Sequence, residues 1–339
     1  MTSQAVEMID VTQVADSLLV GSRPVMVNAQ RQVLVRTPRG LMVNSLLRED
    51  EWKEVDAAAL AAARYPLRVV SGLRSRGLVR RLGGLGTLVS QWYMRSEVTP
   101  AHVSMTGQGA LRDLPDLRTA GVPVPVISKE FAIDARSLEA SRRLGDGLDV
   151  SAAEEAGRVV AEAYDDLALN GNTTIVTGGM TVYGLRTHPN RNTDTAANFG
   201  GGAWGANTDN PVKTVAGMIN AAMTDRHYGP YMVFVGQGQY NAAALSFYND
   251  GTAQTPVQRI RSLPQVEGVE MLPNLPDGEV LLVQMTSDVV RLAEAMDLQV
   301  REWASPDGMT SVFRVMLCGT PEVKARYDGK SGIVHATGA

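Results

Sequence analysis

Four histidines, His102, His188, His227 and His335, and one thiol, Cys318, are the side chains here best suited to nucleophilic, acid–base or metal chemistry. They lie far apart in sequence, and no pair has a ligand spacing such as H-x-x-x-H, so each reads as a surface or packing residue. Cys318 ends the apolar run Phe313-Arg-Val-Met-Leu-Cys318, which makes it a buried strand residue rather than a nucleophile. Gly329-Lys-Ser331 matches the end of a phosphate loop, but that loop requires glycine at position 324, where Lys324 stands. Gly236-Gln-Gly238 follows an apolar strand as a dinucleotide turn would, yet the third glycine position holds Asn241. No G-x-S-x-G elbow occurs. Asp165 and Asp166 read as solvated charges on the outer side of a helix. The run Asn198-Phe-Gly-Gly-Gly-Ala-Trp-Gly205 reads as a flexible surface loop. The sequence therefore points to a protein that is not an enzyme, with no catalytic, cofactor-binding or metal residues and no cofactor.

The elements that would hold such residues are of ordinary composition. In 339 residues, 44% are hydrophobic and 20% charged, which suits one large or two medium soluble domains. No apolar run approaches the roughly 18 residues that cross a bilayer. Met1-Thr-Ser-Gln-Ala-Val-Glu7 lacks the basic and apolar regions of a secretory leader, so no membrane partner is expected. A single cysteine allows no intrachain disulfide and fits a reducing compartment. The net charge of −4 argues against nonspecific nucleic-acid binding by the whole chain. Residues 1–150 nevertheless carry +3 and residues 151–339 carry −7. Arg64, Arg68, Arg74, Arg76, Arg80 and Arg81 fall within 18 residues that include no acid. Such a segment could meet phosphates. The preferred reading pairs it with acidic surface on a neighbouring subunit.

Ser151 to Gly171 reads as a long helix, with a capping box from Ser151 and Glu154 and glycine at the left-handed C′ position. Ala153, Ala156, Val160, Ala163, Tyr164 and Leu167 make its apolar stripe. Before it, Gln91 to Arg136 contains four prolines and almost no helical periodicity. A loop that long usually has an external partner. Trp92–Val103 and Val122–Ile133 suit two extended strands of an edge hairpin or arm, with a flexible tip at Gly107–Pro115. Residues 1–50 suit an extended N-terminal arm, and Glu49–Arg64 a helix. Further helices are expected from Asn210-Pro211, from Gln239 to Tyr248 and from Thr255-Pro256 to Leu263. Tyr231–Val235 is a short apolar strand. Pro276-Asp-Gly278 and Pro306-Asp-Gly308 read as turns between paired strands, with a helix at Ser287–Ala295. The layout is α+β, and no internal repeat is evident.

Several segments together resemble one family, the Hong Kong 97-type capsid proteins of tailed bacteriophages and the related encapsulin shell proteins. Ser128-Lys-Glu-Phe-Ala-Ile-Asp134, Arg136-Ser-Leu-Glu139 and the helix from Ser151 are similar to that family's strand, short helix and spine helix, in that order. Tyr183-Gly-Leu-Arg-Thr-His-Pro189 and His227-Tyr-Gly-Pro-Tyr-Met-Val-Phe-Val235 resemble the motifs that follow. Leu275–Gln284 and Gln299–Val315 resemble the closing strands. The likeness covers roughly residues 65 to 335, and order and spacing carry it more than any one motif.

The resemblance implies an N-terminal arm and leading helix at 1–60, a basic connecting segment at 61–90 and an extended loop at 91–127. It implies a peripheral domain with the spine helix at 128–175, an axial domain at 176–297, and closing strands of the peripheral domain at 298–339. The implied function is the major capsid protein of a tailed bacteriophage, self-assembling through pentamers and hexamers into an icosahedral virion capsid around double-stranded DNA, in the host bacterial cytoplasm. Scaffold, portal and decoration proteins are its further implied partners. The alternative is an encapsulin shell that packages an enzyme. The region before the shared core is longer than in typical encapsulins, which favours the phage. The loop between Trp92 and Val126 contains no lysine, so no isopeptide cross-link is expected from it.

Overall fold

A computed structural model describes residues 19–20, 23–24, 26–27, 33–37, 40–43, 49–63, 68–103, 105, 112–144, 150–248, 254–305 and 309–339. Strands β1 (Leu19–Val20) and β2 (Arg23–Pro24) pair, and β3 (Met26–Val27), β4 (Val33–Thr37) and β5 (Gly40–Val43) form an antiparallel sheet. Then come α1 (Glu49–Ala62), α2 (Val69–Ser75), β6 (Val79–Arg81), β7 (Val89–Arg95), β8 (Leu117–Pro123), β9 (Val126–Asp134) and α3 (Ala135–Leu144). The long helix α4 (Ser151–Asn170) is followed by β10 (Gly171–Thr177), β11 (Met180–Tyr183), β12 (Asn192–Thr195), α5 (Asn210–Thr224) and β13 (Tyr231–Val235). The chain closes with α6 (Gln237–Leu245), α7 (Pro256–Arg261), β14 (Val266–Met271), β15 (Glu279–Gln284), β16 (Val290–Ala304), β17 (Thr310–Val323) and β18 (Ile333–Thr337).

Two compact units result. One comprises Met1–Pro66, Ile127–Glu162 and Asp297–Leu317, and the other Leu67–Val126, Ala163–Met296 and Cys318–Ala339. In the first, α1 buries Val55 and Ala59 and lies directly on Gly157 of α4. A Cβ at Gly157 would sit 2.3 Å from the Ala59 carbonyl oxygen, so only glycine permits this approach. Phe131 of β9 stacks on Phe313 of β17 with ring centroids 5.1 Å apart, and Arg314 covers Trp303 and pairs with Glu130.

The second unit is organised by a five-stranded mixed sheet in the order β12-β18-β15-β13-β14. All five residues of β13 are buried, which is why its sequence is a continuous apolar run rather than an alternation. Helix α5 lays Val215, Met218, Ile219 and Ala222 into the core shared with Val257 and Ile260 of α7. Thr255 and Gln258 form a reciprocal capping box that fixes the start of α7. Cys318 is 2% exposed within β17, as its apolar run required.

Several expectations are corrected. Residues 287–295 do not form a helix: β16 starts at Val290, and its Leu292, Ala293 and Glu294 pair in parallel with Val79, Arg80 and Arg81. The local preference of Arg-Leu-Ala-Glu-Ala for a helix loses to a ladder that buries Leu292 and Ala293 completely. Pro276-Asp-Gly278 does turn, with Gly278 at φ 86°, but β14 and β15 are not partners, because β13 runs between them. The edge hairpin is β7 with β8, not residues 92–103 with 122–133. The Val150 carbonyl accepts the first-turn N–H of Glu154, so the α4 cap falls on Val150 instead of Ser151. Ala163 points outward, and Asp165 is buried, 7% exposed, accepting from the Val70 N–H at 3.0 Å. The glycine-rich run is anchored: Trp204 is 2% exposed and bonds Thr214, and Gly201 abuts the same residue. The expected turn at 306–308 and most of the expected tip at 107–115 lie outside the described residues.

Candidate functional site

The β7–β8 hairpin stands outside the larger sheets of its unit. Its strands pair from Val89↔Pro123 to Arg95↔Leu117 and, among the described residues, form a sheet of two strands. A lone two-stranded ribbon is marginal in water. Two devices extend its order beyond the ladder. The Ser96 N–H donates to the Asp116 carbonyl while the Ser96 hydroxyl accepts from the Asp116 N–H. Thr99 then donates from both its N–H and its hydroxyl to the Asp113 carboxylate, which holds that carboxyl below its usual pKa. Near its base, β8 rests on β11, where a Cβ at Gly121 would lie 2.5 Å from the Met180 sulfur.

Outward from the base the hairpin carries bare apolar groups. Tyr93, Val98 and Leu117 are more than half exposed, Val103 is 92% exposed, and Met105 and Leu114 are fully open to solvent. A row of that kind marks an interaction surface rather than a solvated loop.

Two buried carboxylates gather the basic segment, and one of them, Glu322, also holds the base of the hairpin. Glu322 is 0% exposed and accepts from Ser90, Arg291 and, at 3.4 Å, Arg80. Glu294 is 2% exposed, with Arg74 at 2.6 Å, Arg81 at 3.3 Å and the Tyr164 hydroxyl at 3.3 Å. Burial, then the negative charge of Glu294, raises the Tyr164 hydroxyl well above its ordinary pKa. Arg76 meets Glu267 at 2.6 Å. Four arginines of the basic segment thus have acidic partners in their own chain, where a neighbouring subunit was expected to supply them. Arg64 lies outside the described residues. Glu294 and Glu322 had no sequence signal, because they lie more than 200 residues from the arginines they meet.

The histidines divide. His102 is exposed, while His188, His227 and His335 are buried. His335 and His188 are brought to one place by Arg191, which bonds the His335 ring at 3.2 Å and the His188 carbonyl at 2.9 Å. Glu279 sits between His335, at 3.0 Å, and Arg186, at 2.7 Å. Burial lowers the pKa of all three buried histidines, that of His188 to about 4. Burial opposes ionisation of Glu279, but Arg186 and His335 outweigh it and hold the carboxyl low. A carboxylate saturated by an arginine fork and held ionised is a strut, not a general base. Among the described residues, no group of three or more His, Cys, Asp or Glu side chains is placed to hold a metal ion.

A family model with the description "Family of unknown function (DUF6260)" matches residues 42–336. The chain belongs to that family. This DUF6260 chain is 26% identical over 272 residues to the type 1 encapsulin shell protein EncA of Myxococcus xanthus, covering 80% of the chain and 88% of that protein. Its structure is similar to the capsid of Myoviridae phage XM1, with a TM-score of 0.61 at 15% identity over 80% of this chain and 92% of that one. It is also similar to the virus-like particle of Pyrococcus furiosus, with a TM-score of 0.58 at 16% identity over 84% and 98% of the two chains. The DUF6260 chain has the Hong Kong 97-type capsid fold.

Proposed function

We propose that this chain is the repeating subunit of a closed icosahedral shell, acting as a structural protein and not as an enzyme. The observation that carries the reading is the hairpin, whose Val103, Met105 and Leu114 are left bare beyond a rigidly bonded stem. Covering three such side chains on neighbouring copies contributes about 1.5–3 kcal/mol each. Because one surface would meet a different surface on the next copy, contacts of this kind build closed rings around five- and six-fold axes. In this reading 176–297 is the axial domain, 128–175 with 298–339 the peripheral domain, and 91–127 the arm between subunits.

The finer assignment is the major capsid protein of a tailed bacteriophage, enclosing double-stranded DNA and assembling in the host cytoplasm with portal, scaffold and decoration proteins. The likeness to the phage XM1 capsid supports it. A second reading, an encapsulin around an enzyme cargo, is favoured by the 26% identity to a type 1 encapsulin shell protein.

Light scattering after size exclusion, with electron microscopy, tests the common part. Megadalton icosahedral particles are expected, and a monomer under every assembly condition would refute the shell. Deleting Pro100–Leu117 should abolish particles while circular dichroism stays unchanged. The contents of native particles separate the finer readings: nuclease-protected DNA supports the phage, and a co-purifying folded enzyme supports the encapsulin.

A further inference from the structure

Helix α5 ends in a Schellman motif: the His227 N–H bonds the Ala222 carbonyl at 3.0 Å and the Arg226 N–H bonds that of Met223 at 2.9 Å. The C′ position of that motif needs the left-handed conformation, and glycine is the usual occupant. Here it is Arg226, at φ 60°, the one non-glycine residue with positive φ among those described. An arginine pays for this conformation with a crowded Cβ that glycine lacks.

Arg226 has an outward connection that glycine would lose. Its guanidinium lies 3.5 Å from Glu97, just beyond the paired region of the β7–β8 hairpin. The strained peptide is itself held, since the Arg226 carbonyl accepts from Arg326 at 2.9 Å. One residue further on, Tyr327 is covered by Arg118 of β8 at 4.5 Å. Glu97 follows β7 and Arg118 lies in β8, so both sides of the hairpin are tied to the same pair of loops, 225–228 and 324–327. A cleft of ≈470 Å³ opens beside these ties, lined by Trp92–Glu97, Asp288 and Lys324–Tyr327. Trp92 lines that cleft, and its Nε1 is buried with no hydrogen-bond acceptor among the described residues. The stem is held at its base by Ser90 on Glu322 and by Arg80 on the Gln91 carbonyl, and further out, beside the cleft, by the two ties. Since Ser96–Asp116 and Thr99–Asp113 stiffen the stem, a small change of angle at the ties is carried to Val103 and Met105.

We propose that Arg226 is a positioning residue, retained in a strained conformation because its contact with Glu97, together with Arg118 on Tyr327, sets the angle at which the hairpin leaves the unit. The inference rests on the shell reading for its purpose, but not for its test. An exposed ion pair adds little to the stability of the subunit. Its effect is therefore on orientation rather than on the stability of the subunit.

The experiment compares Arg226→Gly, Glu97→Gln and the exchange Glu97→Arg/Arg226→Glu in the full chain. Orientation is read in the unassembled subunit by spin-label distances between Val103→Cys and Thr174→Cys, both exposed positions of one unit. Arg226→Gly should raise the melting temperature by about 1–2 °C as strain is relieved. It should also broaden the distance distribution and raise the critical concentration for particle formation about fivefold. Glu97→Gln should give the same broadening with the melting temperature unchanged, and the exchange should narrow the distribution again. A sharp, parental distribution in Arg226→Gly overturns the proposal, as does a fall in its melting temperature. A parent chain that never forms particles refutes the shell reading instead, and the label distances still decide the positioning role.

Discussion

Gly157→Ala gives the sharpest test of how α1 is seated. At an open helical site this change stabilises by about 0.8–1.0 kcal/mol, because alanine is the better helix former. At Gly157 the new Cβ would lie 2.3 Å from the Ala59 carbonyl oxygen and 3.0 Å from its carbonyl carbon and Cα. All three are backbone atoms, so no rotamer change relieves the clash, and α1 must retreat by about 1 Å at an overpacking cost of about 1–3 kcal/mol. Complete undocking sets a ceiling. It would expose Val55, Ala59 and Ala63, worth about 3–4 kcal/mol from the usual apolar transfer values. Setting the helix-propensity gain against the upper part of the overpacking range leaves a net loss of about 1–2 kcal/mol. Urea unfolding of the subunit measures it, as a lower midpoint at an unchanged slope, with faster hydrogen exchange in Val55–Ala62. Gly86→Ala is the control, because a Cβ there meets nothing within 4 Å and no positive φ is required. It should be neutral or gain up to about 1 kcal/mol. A Gly157→Ala protein as stable as the parent, with α1 still protected, would show that α1 does not sit on α4 in this way.

Other perturbations address the buried charges. Arg291→Met leaves Glu322 buried with a weaker set of partners and should cost about 3–5 kcal/mol in urea unfolding. The double variant Arg291→Met/Glu322→Leu should lose less than that single change; a larger loss contradicts the view that stranded charge dominates. Reversing Arg80 and Arg81 to glutamate places carboxylates beside Glu322 and Glu294, so the isolated subunit itself should melt lower, and unchanged melting would mean that those pairs are not formed. His188 has its pKa lowered by burial, and then by Arg191, from 6.5 to about 4. Its neutral form is the one the fold favours, so its stability contribution is complete above about pH 6.5 and is lost as the pH falls toward 4, on the order of 3 kcal/mol. His188→Gln should flatten that acid limb, leaving the smaller slopes of His227 and His335; an unaltered limb would contradict the assignment.

The sequence by itself determined what is local. Helices α1, α4, α5 and α7 were legible because apolar spacing, proline at the first turn and the Thr255–Gln258 cap act within a few residues. Strand β13 was legible because a strand covered on both faces needs an unbroken apolar run. The order of such segments was enough to bring out the resemblance to the capsid fold, and the prolines and missing helical periodicity of Gln91–Arg136 were enough to mark extended chain, which forms most of β7, β8 and β9.

Tertiary structure decided everything that depends on partners distant in the chain. Residues 290–295 became strand because β6, some 210 residues earlier, supplies a ladder that outweighs helix propensity. The arginines from Arg74 to Arg81 resembled a surface waiting for phosphate or a neighbour, because sequence shows charges and not distances. In the fold, Glu267, Glu294 and Glu322 come to within 3.4 Å of them. Asp165 changed from a solvated charge to a buried acceptor for the same reason, since helical phase alone does not reveal that Val70 brings an unbonded N–H to that face. Arg226 is the limiting case. Its residue type argues against the left-handed position it occupies, and only the Ala222 and Met223 carbonyls behind it and Glu97 in front of it account for an arginine there.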